Sequence, residues 1–312
     1  MRIVFFGSGE FGLPTLRALE AGPHEIAAVV TQPPRPAGRG GKCRRLTPIH
    51  AHSEQAGHQV FCPEKPNTSD FEQAMRIVNP DLAVVVAYGH LIRHPLLNIP
   101  AQGFVNLHAS LLPAYRGAAP VPWAILSGEK ISGASVFQLN ERFDEGAVIG
   151  TVELPIDDAD TSGGYLAKLA PLGAELMVRA VDDIASGRAT AQPQDEGRAS
   201  RAPKLAKEDG RVDWTRPFAE IERKVRALQP WPHAFTVLPT CKGELRVNIQ
   251  ALRPVDGFRP GTPGTVLAAD AKSGLILMTG DKPARLADIQ PEGKRPMSDT
   301  DFLRGTTIKA TP

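Results

Sequence analysis

Cysteine, tyrosine and tryptophan each occur only three times in this 312-residue chain. Cys43, Cys62 and Cys241 are scattered, with none of the paired spacings of a zinc site or a disulfide framework. A reduced, cytoplasmic setting is therefore expected. No apolar run approaches the ~20 residues needed to cross a bilayer. The opening MRIVFFGSGEFG reads as strand and turn rather than as a cleavable leader. No group of His, Cys, Asp and Glu has metal-ligand spacing, so no metal is expected. The net charge is only +2, but it is unevenly spread. Residues 1–200 hold 17 Lys and Arg against 21 Asp and Glu, whereas residues 201–312 hold 19 against 13. A basic second part points weakly to a polyanionic partner.

What is present reads as an α/β chain followed by a β-rich one. Arg2–Phe6 is an apolar run, then a glycine turn, then Leu13, Leu16 and Leu19 at helical spacing. The turn Gly7-Ser-Gly-Glu-Phe-Gly12 spells the dinucleotide fingerprint, but the second strand, Glu25–Val30, ends in Thr31-Gln32-Pro33. The acid that would hold a ribose hydroxyl is missing, so the turn is read as tight strand-to-helix packing. Helical segments at 49–57 and 69–79 follow, with a short strand at Val60 between them. Asp81–Gly89 is a near-continuous apolar run, as in a strand covered on both faces.

Residues 31–50 carry Arg35, Arg39, Lys42, Arg44 and Arg45, no acid, and enough Pro and Gly to disfavour regular structure. Such an arm suits phosphate contact and equally suits a solvated loop.

The central stretch is Gly103–Pro120, GFVNLHASLLPAYRGAAP. Asn106 and His108, two apart on a strand, share one face. An amide donor beside an imidazole suits a reaction in which a carbonyl oxygen gains charge while a proton moves. A core histidine and a turn-capping asparagine remain the alternative. Further on, 121–127 reads as a helix and 132–139 as a strand, and Asp144 in the following acidic turn is best placed to orient His108. Glu141 and Glu145 are rivals for that role. A long amphipathic helix is expected over 166–184, capped by Asp160-Thr-Ser162.

The apolar-poor residues 186–203 read as a linker between a domain at 1–185 and another at 204–312. The second domain has a helix at 217–228 and about five short strands between 235 and 289, as in a small barrel of the oligonucleotide-binding kind.

Together these residues resemble the methionyl-tRNA formyltransferase family over essentially the whole chain. The resemblance is carried by Asn106-Leu-His108, Ser110–Pro113, Tyr115–Pro120, and Asp144 with Gly146. It extends to the arm Thr31–Gly40 and, in the second half, to Ala202-Pro-Lys204, Trp214, Arg226, Pro230-Trp-Pro232, Gly293-Lys294 and Asp301-Phe302. It implies a Rossmann-like domain with a mostly parallel sheet, followed by an OB-like barrel. Its activity would be transfer of a formyl group from 10-formyltetrahydrofolate to the α-amino group of methionyl initiator tRNA, without a metal. It implies Asn106, His108 and Asp144 as the catalytic trio, and Ser110, Leu111, Leu112, Pro113, Tyr88 and Gly89 as the folate site. Arg35, Arg39, Lys42, Lys204 and Arg226 would touch the tRNA, with Arg39 reaching its acceptor end. A monomer is expected. The chain departs from the family pattern at Pro34, Gly41 and Glu145 and in its first glycine turn.

Three other readings compete. A formyltransferase for an amino-sugar or amino-nucleotide has no need of a basic arm and barrel. A nicotinamide oxidoreductase lacks its ribose acid. A non-catalytic RNA-binding protein has no use for the trio.

Overall fold

The computed structural model describes residues 1–37, 43–259 and 261–309. These fall into two compact units. The first comprises Met1–Pro120, Ile131–Pro155 and Leu166–Pro203; the second comprises Val121–Lys130, Ile156–Tyr165 and Lys204 onward.

The first unit begins with β1 (Arg2–Gly7), α1 (Leu13–Glu20) and β2 (Glu25–Val30). Next come β3 (Arg35–Ala37) and β4 (Cys43–Arg45), then α2 (Pro48–Ala56), β5 (Val60–Phe61), α3 (Ser69–Val78), β6 (Leu82–Val86), β7 (Phe104–His108) and β8 (Arg116–Gly117). Beyond α4 (Pro120–Ser127), which falls almost wholly in the second unit, come β9 (Ile131–Gln138), β10 (Val148–Pro155), α5 (Ser162–Ala185), which belongs to the first unit from Leu166 onward, and β11 (Arg201–Ala202). Seven strands form one sheet in the order β10-β9-β7-β6-β1-β2-β5. The pairings through β5, β2, β1, β6 and β7 are parallel, whereas β9 and β10 run antiparallel. The inner strands carry the apolar runs because both faces are covered: all five residues of β6 are buried. Phe6, Phe71, Tyr88 and Phe104 lie in one core cluster on one side of this sheet.

Helix ends follow their local chemistry. The Thr47 hydroxyl accepts from the His50 N–H at 3.0 Å to start α2, and Gly57 ends it in the left-handed region at φ 77°. Helix α5 begins four residues before the expected start and accommodates Pro171 inside it.

The first glycine turn packs closely, as its sequence suggested. A Cβ on Gly7 would lie 3.0 Å from the Val86 carbonyl oxygen, and one on Gly12 would lie 3.3 Å from the same atom. Beside it, Ser8 and Gln32 converge on one carbonyl oxygen. The Ser8 hydroxyl donates to the Tyr88 carbonyl at 3.2 Å, and the Gln32 amide donates to the same oxygen at 3.0 Å.

The two ends of the arm and residues 186–203 are more regular than their composition predicts. The arm opens and closes on an antiparallel ladder, β3 to β4, pairing Arg35 with Arg45 and Pro36 with Arg44. A two-stranded ribbon consists only of edges, where proline is tolerated. Residues 186–203 run along the first unit: Gln192 exchanges two backbone hydrogen bonds with Val148, and β11 pairs in parallel with β8.

The second unit contains α6 (Phe218–Ala227), β12 (Ala234–Thr240), β13 (Gly243–Pro254), β14 (Val266–Asp270), β15 (Gly274–Met278), β16 (Pro283–Pro291), β17 (Met297–Ser298) and α7 (Asp299–Gly305). Its antiparallel sheet runs β12-β13-β16-β15-β14, with β17 added beside β16, and curls into a small barrel-like body. The core includes Ile221, Val225, Val247, Ile249, Leu286 and Phe302. A half-buried ion pair joins α7 to the sheet: Arg285 Nε and Nη2 donate to the buried Asp299 carboxylate at 2.7 and 2.8 Å.

Candidate active site

Strand β7 sets the geometry. It is hydrogen-bonded on both sides, with Asn106 opposite Val85 of β6 and Phe137 of β9. Leu107 points the other way and packs on α5, where a Cβ on Gly173 would fall 2.8 Å from Leu107 Cδ2. The alternation of the strand then sends Asn106 and His108 together to the opposite face. The Phe137 ring meets the His108 imidazole edge-on, with centroids 6.4 Å apart at 87°.

His108 is buried, and its two nitrogens have different partners. Nε2 lies 2.9 Å from the Tyr115 carbonyl oxygen. A carbonyl only accepts, so Nε2 carries the proton. Nδ1 faces Asp144 Oδ2 at 3.8 Å, close enough for attraction between charges and too far for a hydrogen bond. The same Asp144 oxygen accepts from the Gly117 N–H at 2.9 Å. Burial pushes the Asp144 carboxyl above the usual aspartate range, against the opposing pull of His108, the Gly117 N–H and Arg116. Asp144 itself adopts φ 56°. Two residues on, Gly146 passes so close to Gln138 that an added Cβ would collide with the Gln138 carbonyl oxygen.

Asn106 is half-buried, and its side-chain amide makes no hydrogen bond among the described residues. This unengaged amide stands one pleat from a hydrogen-bonded imidazole.

The residues after His108 are held from below. The Ser135 hydroxyl donates to the Ser110 carbonyl at 2.7 Å and accepts from the Leu112 N–H at 3.0 Å. The Ser110 hydroxyl turns inward to the Ala114 carbonyl at 2.6 Å. Leu112 is buried, whereas Leu111 and Pro113 are half-buried. Tyr88 contributes a buried ring, edge-on to Phe6 with centroids 5.3 Å apart, and Gly89 is exposed at φ 84°. The Tyr88 hydroxyl has no hydrogen-bond partner among the described residues, and burial pushes it well above the ordinary phenol range.

The basic residues expected to meet RNA divide into three groups. Arg39 and Lys42 lie outside the described residues. Arg35 and Lys204 are exposed, although Arg35 donates to the Gln32 side chain. Arg226 is largely covered, with Nε donating to Glu222 at 2.6 Å and Nη1 to the Asp160 carbonyl at 2.9 Å. Its guanidinium therefore serves the interior of the second unit.

Reasoning from sequence missed the contacts made by residues 192–202. Gln194, Glu196 and Ser200 touch the loops that carry Tyr115, Gly117 and Asp144, and nothing in their polar, low-complexity stretch signals it. Among the described residues, no group of three or more His, Cys, Asp or Glu is placed to hold a metal ion.

Two family models match the chain: "Formyl transferase" over residues 1–181 and "Formyl transferase, C-terminal domain" over residues 204–307. A methionyl-tRNA formyltransferase of Parafrankia sp. (strain EAN1pec) is 43% identical over 306 residues, covering 98% of this chain and 97% of the relative. One from Thermobifida fusca (strain YX) is 43% identical over 310 residues, covering 99% and 97%. Among solved structures, HypX from Aquifex aeolicus in complex with tetrahydrofolic acid superposes with a TM-score of 0.64 at 19% identity. The match covers 97% of this chain and 47% of that one, and carries the fold alone. The joint match of both models and the near-full-length identity place this chain in the methionyl-tRNA formyltransferase family.

Proposed function

We propose that the chain transfers the formyl group of 10-formyltetrahydrofolate to the α-amino group of methionyl initiator tRNA, using Asn106, His108 and Asp144. The observation that carries this reading is the free Asn106 amide on the same strand face as an imidazole whose Nδ1 is not hydrogen-bonded. That donor set fits a formyl oxygen. It offers two N–H groups to an oxygen that gains charge and a carboxylate within reach of a released proton.

The folate co-substrate supplies an electrophilic formyl carbon. Asn106 Nδ2 and the Nδ1–H of protonated His108 donate to the formyl oxygen as the amine attacks. Removing one such donor typically costs about 10²–10³-fold in rate. The Tyr115 carbonyl keeps Nε2–H engaged and so aims Nδ1 at the reaction. Asp144, held by the Gly117 N–H, takes the proton that the amine releases. The pair then returns a proton to the departing folate nitrogen, so the site ends in the protonation state in which it began.

Ser110, Leu111, Leu112 and Pro113, with Tyr88 and Gly89, form the folate site in this reading. The half-buried Leu111 and Pro113 offer it apolar surface. Arg35, Arg39, Lys42 and Lys204 serve the tRNA by charge, with Arg39 reaching the acceptor end. Arg226 supports the second unit from inside. The enzyme works as a monomer in the cytoplasm. Among the described residues no helix is long and apolar enough to cross a membrane.

The test is radiolabelled formyl transfer from 10-formyltetrahydrofolate to methionyl initiator tRNA, with methionyl elongator tRNA as control. Transfer to the initiator alone is expected. Folate binding without transfer to either tRNA would mean that the acceptor is a different amine.

A further inference from the structure

Among the described residues, the groups that hydrogen-bond the His108 and Asp144 side chains, the Tyr115 carbonyl and the Gly117 N–H, are held from behind by one stretch of chain, residues 192–202. The Tyr115 carbonyl, which receives His108 Nε2–H, belongs to a residue whose N–H donates to Ser200 Oγ at 2.9 Å. The next N–H, of Arg116, donates to the Ser200 carbonyl at 2.9 Å. Gly117, whose N–H holds Asp144, pairs with Ala202, and a Cβ there would collide with the Ala202 carbonyl oxygen. The loop that carries Asp144 is gripped directly. Gln194 Nε2 donates to the Asp144 carbonyl at 2.8 Å and to the Gly146 carbonyl at 2.7 Å.

The other end of the Gln194 amide is equally occupied. Oε1 accepts from Arg116 Nε at 2.9 Å and from Nη2 at 2.8 Å. Both donors and both acceptor positions of one side chain are thus in use. Gln194 alone among residues 191–201 is not exposed. The Arg116 guanidinium is 5% exposed and is closed off by Glu196, whose two oxygens take Nη1 and Nη2 at 2.9 and 2.8 Å. A fork-to-fork pair of this kind fixes orientation as well as charge. The net effect is a bridge from the Arg116 loop, through Gln194, to the backbone of Asp144, which sits in a left-handed conformation that packing must maintain.

We infer that Gln194 is a positioning residue for formyl transfer, acting with Arg116 and Ser200 to hold the His108–Asp144 pair in working geometry. This rests on the assignment of that pair to the chemistry. None of the contacts that Gln194 and Ser200 make reaches the pair's own side chains, so their influence passes through the backbone of Tyr115, Gly117, Asp144 and Gly146. A shift of about 1 Å in such groups typically costs about 10²-fold in rate.

The test compares Gln194→Glu and Gln194→Met with the unchanged enzyme. Glutamate keeps the shape but turns an oxygen toward two carbonyls, whereas methionine removes all four hydrogen bonds. The expected result is a kcat lower by roughly 10–100-fold, KM values for folate and tRNA that stay within about twofold, and a displaced limb in the pH profile of kcat. Both substitutions are then repeated in an Asp144→Asn background by single-turnover transfer, where they should add little. An unchanged kcat, or a full loss in the Asp144→Asn background as well, overturns the inference and leaves Gln194 a simple stabiliser of the fold. Should Gln194→Glu melt below the assay temperature, Ser200→Ala carries the same comparison. Full activity in Asp144→Asn alone would instead strike down the site assignment, which separates the two failures.

Discussion

At the residue scale, the Tyr115 carbonyl holds His108 Nε2–H and leaves Nδ1 without a hydrogen bond, while the Asn106 amide lies on the same strand face. His108→Ala is expected to lower kcat by about 10²–10⁴-fold and Asn106→Ala by about 10²–10³-fold. Affinity for tRNA should hardly change in either. Steady-state kinetics with parallel filter binding checks both, and unchanged turnover in His108→Ala would sink the trio. Asp144 yields a second prediction with a definite sign. Burial raises its carboxyl above the unfolded value. The folded chain therefore holds that proton more tightly, and the stability it contributes is complete below the usual aspartate range and lost as pH rises through the raised value. Asn cannot ionise, so Asp144→Asn should gain stability relative to the parent as pH rises from the ordinary aspartate range to the working range of the enzyme, while transfer collapses. Urea melts across that range measure the trend, and an Asp144→Asn variant that loses ground with rising pH would contradict it.

At the element scale, α7 is tied to the second unit's sheet by one buried charge. Asp299 accepts from Arg285 and from the Leu275 and Thr300 N–H groups. Burial pushes this carboxyl up, but the Arg285 contact and the backbone donors outweigh it and leave it below the usual aspartate range. The stability it contributes is present above the ordinary aspartate value and is lost as pH falls through the depressed one. Asp299→Asn keeps the shape but strands part of the Arg285 charge. With the Arg285 side chain about a third exposed, it is expected to cost about 1–2 kcal/mol, read as a lower denaturant midpoint at neutral pH. The difference from the parent should shrink on acidification, and a variant as stable as the parent would show that the pair contributes nothing net. The turn between β9 and β10, which contains Gly146, has less tolerance. Gly146→Ala would drive a methyl group into the Gln138 carbonyl and displace the Asp144 loop, so kcat should fall more than KM rises.

At the scale of the whole molecule, charge is segregated, with −4 over residues 1–200 and +6 over residues 201–312. The most concentrated positive stretch nonetheless lies in the first half, in the arm. If Arg35, Arg39, Lys42 and Lys204 meet phosphates, the KM for tRNA should climb steeply with salt while the KM for folate stays flat. Arg39→Ala should raise the tRNA KM at low salt, and that penalty should shrink at high salt. Equal salt slopes for parent and variant would show that this arginine is merely solvated.

Sequence alone determined the α/β order of the first unit, the β-rich second unit and the face shared by Asn106 and His108. The reason is that strand alternation, apolar runs and turn residues act over a few positions. The glycine turn was legible for the same reason: the missing acid at Thr31-Gln32-Pro33 is a local fact. Only the tertiary structure decided the rest. That His108 Nε2 is spent on Tyr115, that Arg226 turns inward to Glu222 and Asp160, and that Gln194 grips the Asp144 loop across 50 residues are all outcomes of packing that no local pattern announces. A hydrogen bond between residues far apart leaves no periodicity in the chain. Residues 186–203 look like a linker because their anchors are backbone groups and single polar side chains, which any polar, apolar-poor sequence can supply.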